Sequence, residues 1–329
     1  MSHQEVTMDI SNSRVLVIGG AGLIGSHIVE LLTKENVKEI IVYDNFCRGT
    51  KENLEKTLQD TRVKIFEIGG DITRSDILNS AMEGTDYVFH LAALWLLQCY
   101  EFPRSAFEVN ISGTFNVLEL CVKNKIKKLV FSSSASVYGN AVEIPMTEEH
   151  PFNNRTFYGA TKIAGEQMCR AFYERYRLNY VGLRYMNVYG PRQDYKGAYV
   201  AVIMKILDRI DQNLPPIIYG DGSQSYDFIY VEDVARANIC ALKGNTIDSF
   251  YNVGSGVKTT IKEICELLLE LTGSNLKIQY EPEGQTFVTH RIGSTGKAEK
   301  ELGFKALTPL REGLKKLIAW RDKHKKGKK

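Results

Sequence analysis

Residues 14–25 read Arg-Val-Leu-Val-Ile-Gly-Gly-Ala-Gly-Leu-Ile-Gly, and this stretch decides the fold. A short β-branched run is followed at once by Gly19, Gly22 and Gly25, and then by a helical pattern over residues 26–32. Glycines at this spacing permit a tight turn, close approach of the backbone to a pyrophosphate, and close packing of helix on strand. The order of strand, glycine loop and helix therefore predicts a dinucleotide-binding unit at the start of the chain.

The second predicted strand, residues 39–43, ends in Asp44. A carboxylate about 20 residues past such a glycine loop accepts hydrogen bonds from the adenosine ribose and repels a 2′-phosphate. Asp44 therefore favours NAD over NADP, although Arg48 lies close enough in the sequence to keep NADP possible.

Further strands are predicted at residues 63–68, 87–90 and 128–131, with a helix over residues 105–124. Alternating strands and helices of this length indicate an α/β fold with a Rossmann-like, doubly wound parallel sheet. The carboxyl ends of parallel strands meet at one edge, where ligands of such sheets bind. That edge is expected to collect the glycine loop and five further residues: Asp44, Asp71, Ala92, Ser134 and Tyr158.

Beyond Gly190 the pattern changes to short, mixed elements. Helices are predicted near residues 198–212, 231–243, 260–272 and 310–320, with a strand at 217–219. We assign residues 1–188 to the NAD-binding domain and residues 189–329 to a smaller mixed α/β lobe. No low-complexity linker separates the two, so we expect them to be interleaved around a packed cleft.

Tyr158 and Lys162 are spaced four residues apart in a segment with a helical pattern. This spacing places an ammonium group beside a phenol on one helix face. A nearby cation favours phenolate, and an oxidised nicotinamide ring would act in the same direction, so we expect the pKa of Tyr158 to be lowered from about 10. Such a tyrosine can accept a proton from a hydroxyl group. By itself the pair is also common on solvated helices.

The composition limits the compartment and the partners. The 329 residues are 43% hydrophobic and 25% charged with a net charge of +3, which fits a globular protein without a nucleic-acid footprint. The six cysteines are scattered, which is typical of reduced thiols and not of disulfides or a metal site. No apolar run approaches the roughly 18 residues of a membrane span. We expect a cytoplasmic protein without a metal and without nucleic-acid or membrane partners.

Several further motifs occur in a fixed order along the chain. They are Gly70-Asp71-Ile72, His90-Leu91-Ala92-Ala93, Asn110, Ser132-Ser133-Ser134, Arg184-Tyr185-x-Asn187, Gly190-Pro191-Arg192-Gln193, Gly220-Asp221-Gly222 and Asp227-Phe228-x-Tyr230. Together with the glycine loop and Tyr158-x-x-x-Lys162, they resemble the extended short-chain dehydrogenase/reductase family over nearly the whole chain. The resemblance is to its NAD-dependent nucleotide-sugar epimerase/dehydratase branch, and in particular to UDP-sugar 4-epimerases.

The resemblance implies that residues 189–329 form the substrate-binding lobe, and it implies a role for each matching residue. Ser134 would bind the reacting hydroxyl, Tyr158 would be the acid/base, and Lys162 would hold the nicotinamide ribose. The implied NAD-binding residues are Gly19, Gly22, Leu23, Ile24, Gly25, Asp44, Asn45, Asp71, Ile72, Leu91, Ala92, Ala93, Asn110, Tyr158, Lys162 and Tyr185. The implied residues for the nucleotide-diphosphate sugar are Ser134, Ser136, Tyr158, Asn187, Arg192 and Arg291.

The residues after Ser134 bear on the reaction. Dehydratases and uronate decarboxylases of this branch carry an acidic residue there, whereas this chain has Ala135 and Ser136. We therefore expect a 4-epimerase that acts through a transient 4-keto sugar, with Tyr158 as the only acid/base. The alternative is a dehydratase or decarboxylase, and the third interpretation is a non-catalytic NAD-binding protein.

Two departures from the family concern the substrate. Tyr226 stands where many epimerases have an arginine that contacts phosphate. Arg291 is the first candidate to replace this phosphate contact, and Arg192 is the second. The alternative for Arg291 is a surface residue paired with Glu281 or Glu283. The loop at 94–99 is unusually apolar, which would either narrow the sugar pocket in favour of a less polar sugar or only pack as core.

The resemblance also implies a homodimer. The segments 105–124 and 158–176 correspond to the helix pair that forms the family's dimer interface. Phe172, Tyr173 and Tyr176 are expected either to supply apolar contact there or to cover the sheet.

Overall fold

The computed structural model describes residues 8–194, 202–282 and 288–326. Its strands, in chain order, are β1 (Arg14–Ile18), β2 (Glu39–Tyr43), β3 (Val63–Ile65), β4 (Tyr87–His90), β5 (Lys128–Ser134), β6 (Tyr180–Tyr185), β7 (Asn187–Tyr189), β8 (Ile217–Tyr219), β9 (Ser225–Tyr230), β10 (Ser249–Val253), β11 (Lys258–Thr260), β12 (Gln279–Glu281) and β13 (His290–Arg291).

The α-helices are α1 (Leu23–Leu32), α2 (Ser75–Met82), α3 (Leu96–Glu101), α4 (Pro103–Ala106), α5 (Thr114–Lys123), α6 (Phe157–Tyr176), α7 (Val202–Asp211), α8 (Val231–Lys243), α9 (Ile261–Thr272), α10 (Gly296–Leu302) and α11 (Leu310–Lys326). A π-helical segment, Phe107–Gly113, joins α4 to α5. Short 3-10 turns lie at Lys51–Leu54, Thr57–Gln59 and Ala135–Val137.

In the described part of the chain, seven strands form one parallel sheet in the order β3-β2-β1-β4-β5-β6-β10. Its central strands are buried runs of apolar residues, because helices cover both faces of the sheet. Two separate apolar clusters fill the space on the two sides. The prediction of a doubly wound, Rossmann-like α/β fold is confirmed.

The second lobe, which we call the substrate lobe after its expected role, is a smaller mixed structure. Strand β9 lies at the centre of its sheet and pairs with β7, β11 and β13, while β8 pairs with β12. Helices α7, α9 and α11 pack on these strands around a third apolar cluster. The chain also returns to the first lobe after residue 188, since α8 packs against α1 and β10 is the edge strand of the large sheet. A single cut at residue 188 therefore does not divide the two lobes.

Element boundaries differ from the sequence-based expectation at several places. Strand β3 is shorter than the predicted 63–68, because it is the edge strand and pairs with β2 alone. The helix predicted over 105–124 is interrupted by the π-helical segment, and the last helix extends beyond residue 320. The predicted start of the helix near 198 lies outside the described residues, within which α7 begins at Val202.

Candidate active site

The carboxyl ends of the large sheet and the substrate lobe enclose a cavity of about 930 Å³. Residues from both lobes line it, beginning at the glycine loop and reaching β8, β9 and α7. This is the sheet edge at which the strand order predicts a ligand. Within the described residues, no helix has the length and apolar character of a membrane span, and no cluster of three or more possible metal ligands occurs.

The glycine loop is shaped by close backbone approach. Gly19 has φ +80°, and a Cβ added there would lie 2.8 Å from the Ala92 nitrogen. A Cβ on Gly25 would lie 2.2 Å from the Gly19 carbonyl oxygen. Helix α1 begins after Gly22 without a side-chain cap, so its first amides can bind an anion. These features fit the pyrophosphate of a dinucleotide.

Asp44 is held firmly at the end of β2. Its carboxylate accepts hydrogen bonds from the Ala21 amide at 2.9 Å and from the Phe46 amide at 2.8 Å. Burial raises the pKa of Asp44, and these two bonds act against that shift. Gly70 passes so close that a Cβ on it would lie 2.1 Å from the Asp44 carbonyl carbon. Asp44 thus lines the cavity and keeps further acceptor capacity on its carboxylate, as the sequence-based prediction of a ribose contact requires.

Ser134, Tyr158 and Lys162 come together as the sequence predicts. Ser134 ends β5, and its Oγ accepts a hydrogen bond from the Ser136 amide at 3.1 Å. Thr156 caps α6 by accepting a hydrogen bond from the Gly159 amide, which fixes the turn that carries Tyr158. Lys162 donates to the Ser132 carbonyl at 2.8 Å, with its ammonium 5.7 Å from the centre of the Tyr158 ring.

The expected lowering of the Tyr158 pKa is wrong for the protein alone. Burial raises the pKa of Tyr158 to about 12, while a hydrogen bond with Ser134 and the charges of Arg291 and Arg48 act in the opposite direction. Burial also lowers the pKa of Lys162 to about 8. The sequence showed the charged neighbour but not the depth of burial, which disfavours both charged forms.

A buried ion pair that was not predicted from the sequence lies behind these residues. Glu166, four residues after Lys162 on α6, accepts from Arg184 at 2.7 and 2.9 Å and from Ser133 Oγ at 2.5 Å. Arg184 also donates to the Tyr138 hydroxyl at 2.8 Å. The spacing of Tyr158, Lys162 and Glu166 by four residues was the available signal.

Most of the predicted ligand-binding residues line the cavity, but three do not. The residues that line it are Gly19, Gly22, Leu23, Ile24, Asp44, Asn45, Asp71, Ile72, Leu91, Ala92, Ala93, Ser134, Ser136, Tyr158, Tyr185, Asn187, Arg192 and Arg291. Gly25, Asn110 and Lys162 lie behind its wall. Asn110 instead bonds both backbone groups of Leu94, at 2.7 and 2.8 Å, and so positions that loop.

The two candidate substrate arginines differ in environment. Arg192 forms an ion pair with Glu30 of α1 at 2.5 Å. Arg291 lies opposite Tyr226 in the register of β13 and β9, next to the position of the missing arginine. It forms no ion pair within the described residues, which include Glu281 but not Glu283.

The apolar loop after β4 contributes Leu94, Trp95 and Leu96 to the cavity wall, while Cys99 is buried behind them. The guanidinium of Arg48 lies 4.8 Å from the centre of the Trp95 ring, and it is 3.6 Å from the Asp194 carboxylate. The contacts among Arg48, Trp95 and Asp194 therefore link three different loops along the cavity wall.

The fold and the site define a class. A glycine loop with an acidic residue after β2, beside a serine, a tyrosine and a lysine at the same sheet edge, is the arrangement of a dinucleotide-dependent enzyme that acts on a hydroxyl group. Comparison with known proteins makes this specific: the model of the NAD dependent epimerase/dehydratase family matches residues 15–254. The chain belongs to that family, and its cofactor is NAD.

Individual relatives cover nearly the whole chain. A putative UDP-glucose 4-epimerase of Methanocaldococcus jannaschii is 36% identical over 311 residues, which are 93% of this chain and 97% of that protein. A UDP-N-acetyl-alpha-D-glucosaminuronate decarboxylase of Bacillus cytotoxicus is 31% identical, covering 93% of this chain and 97% of that protein. The solved UDP-N-acetylglucosamine 4-epimerase from Methanobrevibacter ruminantium M1, in complex with UDP-N-acetylmuramic acid, is 34% identical with a TM-score of 0.89, covering 95% and 99% of the two chains.

Proposed function

We propose that the protein is a nucleotide-sugar 4-epimerase. The observation that carries the proposal is the distribution of acidic groups in the cavity. Among the described residues that line it, the carboxylates are Asp44, Asp71 and Asp194. Asp44 accepts from two backbone amides, Asp71 accepts from Thr73, and Asp194 pairs with Arg48. No free carboxylate thus stands beside Tyr158 in this set to serve as the second acid/base of an elimination.

Tyr158 performs the proton transfer in this proposal. It accepts the proton of the sugar 4-hydroxyl, which Ser134 orients, and returns a proton when the hydroxyl re-forms on the other face of the ring. NAD, when bound, supplies the hydride acceptor and donor for carbon four. The backbone carbonyl of Ser132 holds the Lys162 ammonium 5.7 Å from the centre of the Tyr158 ring, and in this proposal the lysine charge favours phenolate during the reaction. The net result is inversion at carbon four without loss of mass.

The nucleotide-diphosphate sugar is proposed to bind between the lobes. Asn187 on β7 lines the cavity beside the catalytic residues. The described cationic side chains on the cavity wall are the candidates for the diphosphate and for any other anion on the substrate: Arg48, Arg192, Lys205, Arg209 and Arg291.

We further propose that the protein forms a homodimer through α5 and α6. Of the three aromatic residues named from the sequence, Phe172 is buried in the apolar cluster on one side of the sheet, and Tyr173 packs against that cluster. Tyr176 is 53% exposed and Phe115 is 43% exposed, and both rings pack against Phe172 at 5.4 and 5.6 Å. Exposed aromatic groups on adjacent helices are typical of an interface.

A decarboxylase is the second candidate, supported by the Bacillus cytotoxicus relative. The test is incubation of the NAD-loaded protein with a panel of UDP-, dTDP-, GDP-, CDP- and ADP-sugars, followed by mass spectrometry and proton NMR. We expect a product of unchanged mass with inverted ring couplings at carbon four, lost in Tyr158→Phe. A product lighter by water or carbon dioxide would contradict the proposal.

A further inference from the structure

Ala21, in the middle of the glycine loop, is held by residues from outside the loop. Its backbone amide donates to the Asp44 carboxylate at 2.9 Å. Its carbonyl accepts from the side-chain amide of Asn53 at 2.9 Å and from the backbone amide of Thr50 at 3.3 Å. Both polar groups of this fully buried residue are therefore bound by one segment, residues 44–53, which follows β2.

The same segment packs directly against the loop. A Cβ on Gly49 would lie 2.7 Å from the Ala21 carbonyl carbon and 2.8 Å from the Ala21 Cβ, so this close approach requires glycine. The Thr50 side chain accepts a hydrogen bond from the Asn53 amide at 3.4 Å and begins a 3-10 turn, which ends in the buried Leu54. These contacts hold the backbone of residue 53 where its side-chain amide reaches the loop.

The orientation of Ala21 bears on cofactor binding because the loop binds a pyrophosphate with its backbone. Helix α1 begins directly after Gly22, and the first amides of a helix have no partner inside the helix. The Ala21 carbonyl shares a peptide plane with the Gly22 amide, which donates to the Gly19 carbonyl at 3.2 Å. Fixing that plane fixes the direction in which α1 starts, and with it the direction of the amides that meet the anion.

We propose that Asn53 is a positioning residue for NAD, which holds the glycine loop through the Ala21 carbonyl in the shape that binds the pyrophosphate. Gly49 supports the same shape by allowing the segment to pack on Ala21. A loop that is ordered in advance loses less conformational entropy on binding, so the cofactor binds more tightly. This inference concerns the cofactor alone and applies equally to an epimerase, a dehydratase and a decarboxylase.

The first test is calorimetric titration of full-length Asn53→Ala with NAD. We expect the Kd of NAD to rise about 5- to 30-fold, which corresponds to the conformational entropy of ordering about one residue of the loop. An unchanged Kd overturns the inference.

The matched control for this variant is Asn179→Ala. Asn179 also donates its side-chain amide to a backbone carbonyl, that of Lys127 at 3.3 Å, but it lies just before β6 at the amino-terminal edge of the sheet, away from the cavity. We expect Asn179→Ala to bind NAD as the unmodified protein does. Urea unfolding of both variants shows whether any loss of stability is accompanied by a loss of NAD affinity. A rise in the Kd of NAD that is equal in the two variants overturns the inference, because it would follow from lost stability alone.

The second test separates positioning of the loop from direct contact with the nucleoside, since Asn53 also lines the cavity. ADP-ribose contains the pyrophosphate, whereas adenosine has only the base and the ribose, and both are titrated with ligand-observed NMR for the weaker one. We expect ADP-ribose to lose the same factor as NAD in Asn53→Ala, and adenosine to lose less than about 2-fold, because the effect passes through the pyrophosphate-binding amides. An equal loss for adenosine places Asn53 at the nucleoside and overturns the inference.

Gly49→Ala tests the loop without removing a hydrogen bond, and it also serves if Asn53→Ala does not fold. The added methyl group collides with Ala21, so we expect the same pattern: weaker NAD and ADP-ribose with adenosine unchanged. Gly296→Ala is its control, because a Cβ added there meets nothing within 4 Å. NAD affinity that is unchanged in Gly49→Ala overturns the inference.

These outcomes are separate from those of the proposed reaction, because NAD binding is measured without a sugar. Weakened NAD binding in Asn53→Ala supports the inference even if the product of the unmodified protein is lighter by carbon dioxide. Inversion at carbon four, combined with unchanged NAD affinity in both variants, supports the 4-epimerase and overturns the role of Asn53.

Discussion

At the scale of single residues, we propose that Asp44 determines the choice of cofactor. Its carboxylate is ordered by two backbone amides and lines the cavity. Replacement by asparagine keeps one oxygen for the Ala21 amide but removes the negative charge. We expect Asp44→Asn to raise the Kd of NAD about 10-fold or more and to reduce discrimination against NADP, because a hydrogen bond to a charged acceptor is worth about 1.5–3 kcal/mol. Calorimetric titration with both cofactors measures this, and unchanged affinity for each would contradict the assignment.

The residues that sequence predicts well are those defined by spacing or by local backbone demands. The glycine trio and Asp44 are of this kind, and both were predicted. The pKa of Tyr158 was not, because it depends on burial by distant segments. For the same reason the stacking of Arg48 on Trp95 was missed, since the two residues lie on different loops.

At the scale of elements, Glu166 and Arg184 connect α6 to β6 inside the protein. Both side chains are almost fully buried, so removing one partner leaves an unpaired charge. We expect Glu166→Ala to lower the free energy of unfolding by about 3–5 kcal/mol. Urea unfolding of the purified variant gives this value.

The matched control for that pair is Glu174→Ala. Glu174, near the end of the same helix, pairs at 3.6 Å with Arg177, the residue just after the helix, and both side chains are well exposed. Its replacement should change the free energy of unfolding by about 0.5 kcal/mol or less. Similar losses in the two variants would show that the buried pair does not hold α6 in place.

Lys128 connects two other elements and gives a pH dependence. Its ammonium, at the start of β5, donates to the Gly244 carbonyl at the end of α8, and burial lowers its pKa to about 8. Between pH 8 and 10 the unfolded chain binds more protons at this group than the folded protein, so stability rises with pH. We expect the free energy of unfolding to gain about 1–2 kcal/mol from this group between pH 7.5 and 9.5.

The control is the Lys128→Met variant, whose free energy of unfolding is measured at pH 7.5 and at pH 9.5 like that of the unmodified protein. The variant lacks the titrating group, so its free energy of unfolding should rise less over that interval, by the amount given above. Parallel pH profiles for the two proteins would show that Lys128 does not titrate in this range.

The sequence predicted the existence of most elements but not all their boundaries. The central strands were predicted correctly because they are buried on both faces and therefore appear in the sequence as continuous apolar runs. The π-helical segment carries no local signal; its position next to Leu94 depends on the Asn110 bonds and on the close contact of Gly113 with Ile72. The place of strand β10 in the large sheet was not predicted either, because its pairing with β6 joins residues that are far apart in the chain.

At the scale of the whole molecule, the proposed dimer is testable without the substrate. We expect Tyr176→Glu to shift the protein from dimer to monomer, because a carboxylate at an apolar interface is desolvated without a partner. Light scattering on a sizing column measures the mass. Tyr280→Glu is the control, since Tyr280 is 49% exposed on β12 of the other lobe. A monomeric unmodified protein, or no response to either substitution, would contradict the proposal.

The central claim, inversion at carbon four by way of a 4-keto sugar, is tested most directly with a substrate that carries deuterium on carbon four. The NAD-loaded protein is incubated in ordinary water with the accepted nucleotide sugar, and the product is examined by mass spectrometry and NMR. We predict a product of unchanged mass with deuterium still on carbon four and the configuration there inverted. Loss of water with the deuterium on another carbon, loss of carbon dioxide, or washout of the label into solvent would each contradict the account.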